Sequence, residues 1–409
     1  MKKLLSFILL ILLAGCQNQP SPTHIDSSAT DNLSSQALLT TKLKQNPWRF
    51  IKKQSNISIP LNQRIREEQE KLLKNKSAFE QLLSRSEPYM YYIINQLQQR
   101  NMPVEIALIP LIESAYNPQA TSSAKAAGLW QIVPITAKAH GMVANKWYDP
   151  RRDLIESTQA ALNYLEYLNK IFDGDWLLTL AAYNAGEGRV KRAQQWSINN
   201  HLPAHFWALN LPKETMQYIP KFLAVADLIR HNKNFGITLP DYDYDNALVK
   251  VNIGQQIKLA DLCKYTDLSL DELTLYNAAY LKKTLNGPYY LLIPKNQAES
   301  LYSNLLSNNF NSAAIVDLLS IPADTDDILP NKTNNTNLKY LTITDADLQF
   351  YAKEHLRHSQ IIYRIKPGDN LSMIAKNHRV KISQLLQWNK IQNAHKLKPG
   401  DRLVINIRH

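Results

Sequence analysis

Cysteine is scarce in this sequence, since Cys16 and Cys263 are the only two among 409 residues. If Cys16 is modified, as its neighbours suggest below, Cys263 has no partner and an intramolecular disulfide is excluded. The histidines and cysteines show no spacing that is typical of a metal site. We therefore expect neither a metal nor another cofactor. Separately, the length of the chain predicts more than one domain.

The sequence also lacks long apolar runs, and the apolar run at its start is short. Residues 4–13 follow two lysines and have signal-peptide length, which is too short for a typical membrane-spanning helix. Residues 13–16 (LAGC) then resemble a bacterial lipobox. The resemblance implies that a signal peptide, residues 1–15, is removed and that Cys16 is lipidated; the alternative is an uncleaved or unlipidated signal. Such acyl chains anchor a protein stably, and Gln17 in place of Asp favours an outer-membrane lipoprotein facing the periplasm.

One apolar stretch ends in a carboxylate. Residues 103–115 (PVEIALIPLIESA) carry only two charges, Glu105 and Glu113. Pro103 fits the first turn of a helix, and Pro110 predicts that the helix kinks or shortens. A carboxyl group in an apolar wall loses the solvation of its charged form, which raises its pKa and suits it to donate a proton near neutral pH. Glu113 is therefore a candidate catalytic acid, although a helix-end glutamate pointing to water gives the same local pattern.

Three later sequence blocks help to decide whether Glu113 is a catalytic acid or a glutamate that points to water. They are residues 128–132 (GLWQI), 181–186 (AAYNAG) and 214–221 (ETMQYIPK). Together with residues 113–114 (ES), and in this order, they resemble the Slt-type lytic transglycosylases, lysozyme-like enzymes that cleave bacterial peptidoglycan. The resemblance implies a nearly all-helical catalytic domain, which we place at residues 98–236.

The resemblance also implies a reaction that needs a single acid. Glu113 would protonate the glycosidic oxygen between N-acetylmuramic acid and N-acetylglucosamine, and an oxocarbenium-like species would form with help from the substrate's acetamido group. The Glu113 carboxylate would then accept a proton from the sugar's own 6-hydroxyl, which attacks the anomeric carbon. The product would be a 1,6-anhydromuramoyl end, formed without consuming water.

The same motifs supply candidates for binding substrate: Ser114, Trp130, Gln131, Tyr183, Asn184 and Tyr218. The serine and the glutamine would orient the substrate or the acid by hydrogen bonds. The tyrosine and asparagine of the AAYNAG block would bind sugar amide and hydroxyl groups, and Tyr218 would hold Glu113 through its hydroxyl. Trp130 suits internal packing as well as a platform for a sugar ring.

Other functions compete with this interpretation. A hydrolytic muramidase would use water and a second carboxylate. The sequence around the other acids favours structural roles for them: Asp149 in a turn, Asp153 at a helix start and Glu187 in a solvated loop. A non-catalytic peptidoglycan-binding tether is a second alternative, against which the intact motifs argue. The net charge of +12 suits a polyanion. An exported lipoprotein rarely meets nucleic acid, so peptidoglycan, with its stem-peptide carboxylates, is the expected partner.

Near the C-terminus the pattern changes to short strands and helices. Two Pro-Gly-Asp turns, at 367–369 and 399–401, bracket two amphipathic helices. The pattern resembles LysM, a strand–helix–helix–strand module that binds N-acetylglucosamine polymers, over residues 360–408. The resemblance places its glycan contacts in the loops at Gly368, Asp369, Asn370, Leu371 and Asn389.

The chain also repeats itself at a distance of 112 residues. Without a gap, positions from Leu259 to Ile293 fall on those from Leu371 to Ile405, and Asn277 falls on Asn389. Residues 248–295 are therefore predicted to be a degenerate LysM-like module, whose glycan binding is left open because it lacks both Pro-Gly-Asp turns. Cys263 falls on a core alanine, which predicts a buried structural thiol.

The remaining segments complete the predicted layout. Residues 16–60 are predicted to be a tether, residues 61–97 a two-helix lead-in broken near Pro88, and residues 300–358 a linker. The fold class is thus multidomain, with a mainly α lysozyme-like catalytic domain followed by small α/β (βααβ) LysM modules. The oligomeric state and the choice between endo and exo cleavage stay open.

Overall fold

The computed structural model describes residues 44, 46–310, 313–321, 359–365, 369–378, 380–389, 391 and 400–407. The predicted signal peptide, Cys16, Gly368 and most of the predicted tether and linker lie outside these residues. None of the described helices is both long and apolar enough to cross a membrane.

Ten α-helices form the first body of the molecule. They are α1 (Pro47–Gln54), α2 (Gln63–Leu73), α3 (Lys76–Ser84), α4 (Glu87–Gln99), α5 (Ile109–Ser114), α6 (Pro134–Ala139), α7 (Leu154–Ile171), α8 (Trp176–Ala185), α9 (Glu187–Asn199) and α10 (Lys213–Arg230). Helix α10 lies centrally, in contact with α1, α2, α5 and α8. Its Ile219, Phe222 and Leu223 are fully buried, so apolar burial along this helix joins the elements that carry the sequence motifs into one core.

Helix starts follow local side-chain chemistry. Asp153 caps α7 by accepting hydrogen bonds from Ile155 N and Glu156 N, as predicted for a helix start. Asp175 caps α8 in the same way, and Gly186, at φ +86°, ends it.

The N-terminal part of the fold corrects the predicted tether. Trp48 and Ile51 of α1 are fully buried, and Asn46 donates to Asp241 Oδ1 over 2.7 Å. From residue 46 onward the chain is therefore part of the core, because the apolar residues of the PWRFI segment outweigh its polar surroundings.

The predicted lead-in is also corrected. Three helices, α2 to α4, occupy residues 63–99, rather than two. Pro88 lies in the first turn of α4 instead of breaking a helix, since a proline there loses no hydrogen bond. Helix α4 runs past the predicted boundary at residue 97, and its buried face joins the same core as α10.

A second body follows, with its own hydrophobic core. Its elements are β1 (Leu248–Asn252), β2 (Ile257–Lys258), α11 (Leu259–Leu262), α12 (Leu270–Tyr276), β3 (Thr284–Leu285), β4 (Tyr290–Pro294), α13 (Lys295–Ser307) and β5 (Ala314–Val316). One sheet has the order β4-β1-β5, and β2 pairs with β3. The fully buried Leu262, Leu273 and Leu291 lie in the core. Cys263 is half-buried rather than buried, and its thiol donates to Leu259 O over 3.4 Å.

Residues 300–321 correct the predicted linker. Helix α13 buries Leu301 and Leu305 in the second core, and β5 pairs with β1. The chain then returns to the first body, where Gln96 Nε2 donates to Ile321 O over 2.9 Å. The sparse apolar residues of this segment fall at helical spacing in α13, which is enough to bury one face.

The two bodies meet in a tight interface. Asp149 N donates to Ala279 O over 2.9 Å, and Leu281 N donates to Trp147 O over 2.8 Å. Tyr290 of β4 donates to the buried Asp153 Oδ2 over 2.9 Å. The second body is thus docked against the start of α7 through backbone and side-chain bonds together.

The chain enters and leaves these two bodies at neighbouring points. Lys44 Nζ lies 3.7 Å from Asp317 Oδ2 and 4.7 Å from the centre of the Tyr244 ring. Residue 44 therefore lies beside residue 317, four residues before this described stretch ends at Ile321.

The C-terminal module has the predicted strand–helix–helix–strand order. Its elements are β6 (Ser359–Arg364), α14 (Leu371–Asn377), α15 (Ile382–Trp388) and β7 (Arg402–Ile407). Strands β6 and β7 pair antiparallel around a small core that contains Ile374, Leu385 and Ile405. The predicted fold class, helical body and small βααβ units together, is confirmed.

The two modules share one backbone register at the predicted distance of 112 residues. Val249 pairs with Ile293 in the second body, as Ile361 pairs with Ile405 in the C-terminal module. Asn277 donates to Leu292 O over 2.7 Å and accepts from Leu292 N over 2.8 Å. Asn389 makes the corresponding bonds with Val404, so each asparagine joins the end of a helix to a strand, β4 in the second body and β7 in the C-terminal module.

Candidate active site

Glu113 lies on a short segment whose backbone is fixed by hydrogen bonds. A 3₁₀ turn (Val104–Leu108) leads into the six-residue helix α5. Pro110 is the second residue of α5, where a proline removes no internal N–H bond. The helical stretch that starts at Pro103 is thus divided into a 3₁₀ turn and a short helix, in line with the predicted shortening. After Ala115, at φ +53°, Tyr116 donates to Ala107 O over 2.5 Å. The backbone around Glu113 is therefore fixed from both sides.

Glu113 sits among buried groups, and the Tyr218 hydroxyl donates to Glu113 Oε1 over 2.7 Å. Burial raises the pKa of Glu113 to about 7, and Glu214 adds to the rise. The hydrogen bond from Tyr218 and the charge of Lys221 act in the opposite direction, since both stabilise the carboxylate. The sequence anticipated this contact, and the resulting pKa lets the carboxyl group both give and take a proton near neutrality.

Glu113 opens into a cavity of about 540 Å³. Its polar walls come from α5, the 128–132 loop, the end of α8, the start of α9 and the start of α10: Glu113, Gln131, Tyr183, Asn184, Glu187, Arg189, Arg192, Glu214 and Thr215. The size and the mixed lining suit a polar ligand with several hydrogen-bonding groups.

The 128–132 loop approaches its neighbours too closely for most residues. Gly128 has φ +81°, and a Cβ added there would lie 1.8 Å from Arg151 O. Only glycine fits this position. Gln131 at the cavity wall donates through Nε2 to Gly128 O over 2.9 Å, so its side chain is fixed by the loop itself.

Two predicted substrate-binding residues have structural positions instead. Trp130 is fully buried, and its Nε1 donates to Thr158 Oγ1 over 3.0 Å. This excludes it as a sugar platform. The Ser114 hydroxyl is directed at Leu129 O, 2.9 Å away, and joins α5 to the 128–132 loop rather than lining the cavity.

Tyr183 and Asn184 do line the cavity. The Tyr183 hydroxyl donates to Trp130 O over 2.8 Å, so it holds the loop while its ring forms part of the wall. Asn184 Oδ1 accepts from Thr215 Oγ1 over 2.8 Å. This bond orients the amide of Asn184 and leaves its Nδ2 as the group that can donate to a ligand.

The other acids of the body have distinct places. Asp149 pairs with Arg151 at 2.8 Å, and Asp153 is buried under Tyr290; neither lines the cavity. Glu187 corrects the prediction of a solvated loop, because it begins α9, lines the cavity and accepts from Tyr167 over 3.3 Å. Within the described residues, no three His, Cys, Asp or Glu side chains are grouped to hold a metal.

Sequence reasoning missed three charged residues of the wall. Arg189 and Arg192 lie on α9 and Glu214 at the start of α10. Glu214 stood inside a quoted motif, and the spacing of the two arginines after residue 186 was visible, but only the folded chain brings them to Glu113.

Comparison with known proteins identifies the family of the chain. The family description "Transglycosylase SLT domain" matches residues 90–201, "LysM domain" residues 363–406, and "Lytic transglycosylase MltD, LysM-like domain" residues 247–309. Membrane-bound lytic murein transglycosylase D of Escherichia coli (strain K12) is 36% identical over 438 residues, which cover 98% of this chain and 96% of that protein. This chain belongs to the lytic murein transglycosylases. The resemblance carried by the four sequence motifs and by the LysM pattern is confirmed, and this lytic transglycosylase is an enzyme that acts on peptidoglycan.

Other relatives of this lytic transglycosylase match smaller parts. A protein of Alteromonas sp. (strain M-1), named for resistance to tributyltin chloride, is 44% identical over 151 residues, 37% of this chain and 72% of that protein. Among solved structures, the 70 kDa soluble lytic transglycosylase of Escherichia coli is 20% identical and covers 51% of this chain and 44% of its own, with a TM-score of 0.29.

Proposed function

We propose that this lytic transglycosylase cleaves the β-1,4 bond between N-acetylmuramic acid and N-acetylglucosamine with Glu113 as its only acid and base. The observation that carries the proposal is the Glu113 carboxyl group at a cavity wall, with a pKa of about 7 and a 2.7 Å hydrogen bond from Tyr218. A group with this pKa is populated in both protonation states near neutral pH, as a residue that acts first as acid and then as base requires.

The steps use one carboxyl group twice, first as acid and then as base, and they transfer two different protons. Protonated Glu113 gives its proton to the glycosidic oxygen as the bond to the anomeric carbon breaks, and the substrate's acetamido oxygen stabilises the resulting cation. The Glu113 carboxylate, held by Tyr218, then takes the proton of the 6-hydroxyl while that oxygen bonds to the anomeric carbon. The enzyme returns to its starting state, and the new end is a 1,6-anhydro sugar.

Substrate binding is proposed for the residues that face the cavity. Asn184 Nδ2 is positioned to donate to a sugar hydroxyl or acetamido oxygen, because Thr215 fixes the other side of its amide. Gln131 and Tyr183 shape the wall next to it. Ser114 and Trp130 support this wall from behind and are not proposed as contacts.

Muropeptide analysis tests the proposal. Purified sacculi are digested with residues 17–409 and with the Glu113→Gln variant, and the products are weighed by mass spectrometry. We expect products lighter than the hydrolytic ones by one water molecule, and a fall of at least about a hundred-fold with the variant.

Glu214→Gln and Glu187→Gln are the matched controls, since both remove a carboxylate from the same cavity. We expect both to keep forming anhydro products. Reducing ends from the wild type, lost with either control variant, would instead establish a hydrolytic muramidase with a second carboxylate.

We further propose that the C-terminal module binds glycan and that Cys16 anchors the chain. Near the first Pro-Gly-Asp turn, Asn370 caps α14 and Asp369 accepts from Tyr363, so their backbone and Leu371 are the candidate contacts along with Gly368. Asn389 is withdrawn as a glycan contact because its amide clips α15 to β7. The lipobox and Gln17 support an outer-membrane lipoprotein facing the periplasm, and a relative named as membrane-bound, aligned over 98% of this chain, supports membrane association.

The proposed layout follows from the two cores and the C-terminal module. Residues 46–236 form the catalytic body, residues 247–321 the LysM-like body, and residues 360–408 the LysM domain. The signal peptide, residues 1–15, and a shortened tether, residues 16–45, precede them.

A further inference from the structure

One short segment of the catalytic body, the strap (residues 147–153), contacts both the LysM-like body and the wall of the catalytic cavity. The strap begins with an antiparallel pairing to the LysM-like body, in which Trp147 O accepts from Leu281 N and Asp149 N donates to Ala279 O. The strap ends at the start of α7, where a tyrosine of the same body donates to its last carboxylate. The LysM-like body is therefore bonded to both ends of the strap.

The middle of the strap holds a second segment, the cavity loop (residues 118–133). Arg151 Nη1 donates to Lys125 O over 2.7 Å, and Arg152 Nη1 donates to Gln119 O over 2.6 Å. Each guanidinium group makes a further hydrogen bond to the same loop. The strap thus satisfies carbonyl groups at separate points along the cavity loop and fixes its course.

The cavity loop forms one wall of the catalytic cavity. Its Ser122 and Gln131 line that cavity together with Glu113. The loop also touches the strap through its backbone, since a Cβ at Gly128 would lie 1.8 Å from Arg151 O. With no free space between them, a displacement of the strap must move the wall of the cavity.

Asp149 connects the two contacts of the strap. Its backbone N–H is bonded to the LysM-like body, and the residue is only 5% exposed. Its carboxylate accepts from Arg151 Nε and Nη2 over 2.9 and 2.8 Å and lies 3.6 Å from Arg152 Nε. A bidentate pair fixes the plane of a guanidinium group, so Asp149 directs Arg151 at the cavity loop.

The LysM-like body differs from the C-terminal module beside this contact. At the distance of 112 residues, the candidate glycan contacts Asp369 and Asn370 correspond to Ile257 and Lys258. Ile257 and Lys258 form β2, which pairs with β3, whereas Asp369 and Asn370 lie outside any strand. The LysM-like body therefore has a closed strand pair where its relative has an open loop, and this pair follows directly on the residues that bind the strap.

We propose that the LysM-like body is a positioning element of the active site, which holds the cavity loop in its cleaving conformation through Asp149, Arg151 and Arg152. These three are positioning residues, and none of them lines the cavity. The proposal rests on the cavity at Glu113 being the place of glycan cleavage, as proposed above.

The first test breaks one bond of this contact in the full chain. Leu281→Pro removes the N–H that bonds to Trp147 O, and Leu281→Ala is the matched control because it keeps that N–H and shortens a side chain that is 45% exposed. On uncross-linked glycan strands, we expect kcat/KM to fall about ten-fold or more with proline and to stay within about two-fold with alanine, since a small displacement of a catalytic wall costs this much.

Asp149→Asn should cause a similar loss, because the charge that orients both arginines is removed. The double variant with Leu281→Pro should lose little more than either single variant, since both changes act through the same strap. Losses that multiply, or an equal loss with Leu281→Ala, would overturn the proposal.

The pH–rate profile separates positioning from a loss of folded protein. A displaced loop admits water to Glu113, whose pKa is raised by burial, so the high-pH limb of kcat/KM should move to lower pH in Leu281→Pro and Asp149→Asn. A merely structural defect would lower the rate by one factor at every pH and leave the limb in place, which would contradict the proposal.

Hydrogen exchange separates this proposal from the catalytic one. Amide exchange is followed by mass spectrometry in the Glu113→Gln protein, with and without Leu281→Pro or Asp149→Asn. Faster exchange in residues 118–133, with unchanged exchange in α10, supports the positioning role even if the wild type proves hydrolytic. Unchanged exchange in the cavity loop contradicts this role even if anhydro products form.

Discussion

At the residue scale, the chemistry of the site depends on two opposing effects on one carboxyl group. Burial raises the pKa of Glu113, and the Tyr218 hydroxyl lowers it by bonding to the charged form. The first effect keeps a proton available for the leaving oxygen, and the second keeps the carboxylate stable enough to receive the next proton. The balance between them decides the pH range in which the enzyme works.

Tyr218→Phe should move that pH range upward. Without the hydroxyl the charged form of Glu113 loses a stabilising bond, so the pKa of Glu113 rises above about 7. Because the protonated acid starts the reaction, kcat/KM declines as pH rises through this pKa, and the decline should start at higher pH in the variant. A pH–rate profile on sacculi measures this shift.

Tyr167→Phe serves as the comparison, since it removes a hydroxyl that bonds to Glu187 and not to Glu113. Its high-pH limb should stay where the wild-type limb lies. An unmoved or lowered limb in Tyr218→Phe would contradict the role given to this tyrosine.

The sequence predicted the residues that act on Glu113 better than those that surround it. Glu113 and Tyr218 stand in local motifs, and the family resemblance carried by those motifs implied their contact. The sequence around Trp130 is compatible with internal packing and with a sugar platform, and only its burial in the folded protein shows that it packs internally. Arg189 and Arg192 are exposed residues that come to the cavity wall only through folding, and no local pattern in the sequence shows this.

At the element scale, the start of α7 joins the catalytic body to the LysM-like body through acids and tyrosines. Tyr290 donates to Asp153, and Tyr148 donates to Glu156 Oε1 over 2.8 Å. Burial raises the pKa of both carboxyl groups, and the charge of Asp153 raises that of Glu156 further. The folded interface therefore holds protons more tightly than the unfolded chain does.

This interface should make stability fall as pH rises. A carboxyl group with a raised pKa in the folded state stabilises the fold fully below its unfolded pKa, about 4.3 for glutamate, and loses this contribution as pH rises through the folded value. Glu156→Gln keeps an acceptor for Tyr148 and removes the charge. Its Tm should decline less than that of the wild type between about pH 5 and 8, as measured by differential scanning fluorimetry.

Glu299→Gln, at an exposed position of α13, provides the reference for loss of a carboxylate. It should retain the wild-type decline. A Glu156→Gln protein with an equally steep or steeper decline would show that this pair does not control the interface.

Element boundaries were predictable where the apolar pattern was regular. The distance of 112 residues between the two modules was visible in the sequence, and the shared strand register follows from it. The hydrogen bonds that Asn277 and Asn389 make to a strand were not predictable, because the sequence does not distinguish an asparagine that bonds to a strand backbone from one that binds sugar. Helices α1 and α13 were missed because each is embedded in a polar segment and buries only one face.

At the scale of the whole molecule, the position of the enzyme depends on the segment before residue 44. Cys16→Ala should release the protein from the membrane fraction, because the proposed lipid would have no attachment point. Fractionation of cells that express the full chain, with labelled palmitate, measures this. Cys263→Ala should stay membrane-bound and labelled, since that thiol is bonded within the LysM-like body. Persistent membrane recovery and labelling of Cys16→Ala would contradict the anchor.

The proximity of Lys44 to Asp317 has a mechanical consequence. If the anchor precedes residue 44 and the glycan-bound LysM domain follows residue 321, then tension between membrane and cell wall enters and leaves the folded bodies at almost the same point. The pulling force would pass across that corner of the molecule and would bypass the cleft around Glu113. The enzyme could then be stretched between two attached layers without deforming the geometry with which it cuts.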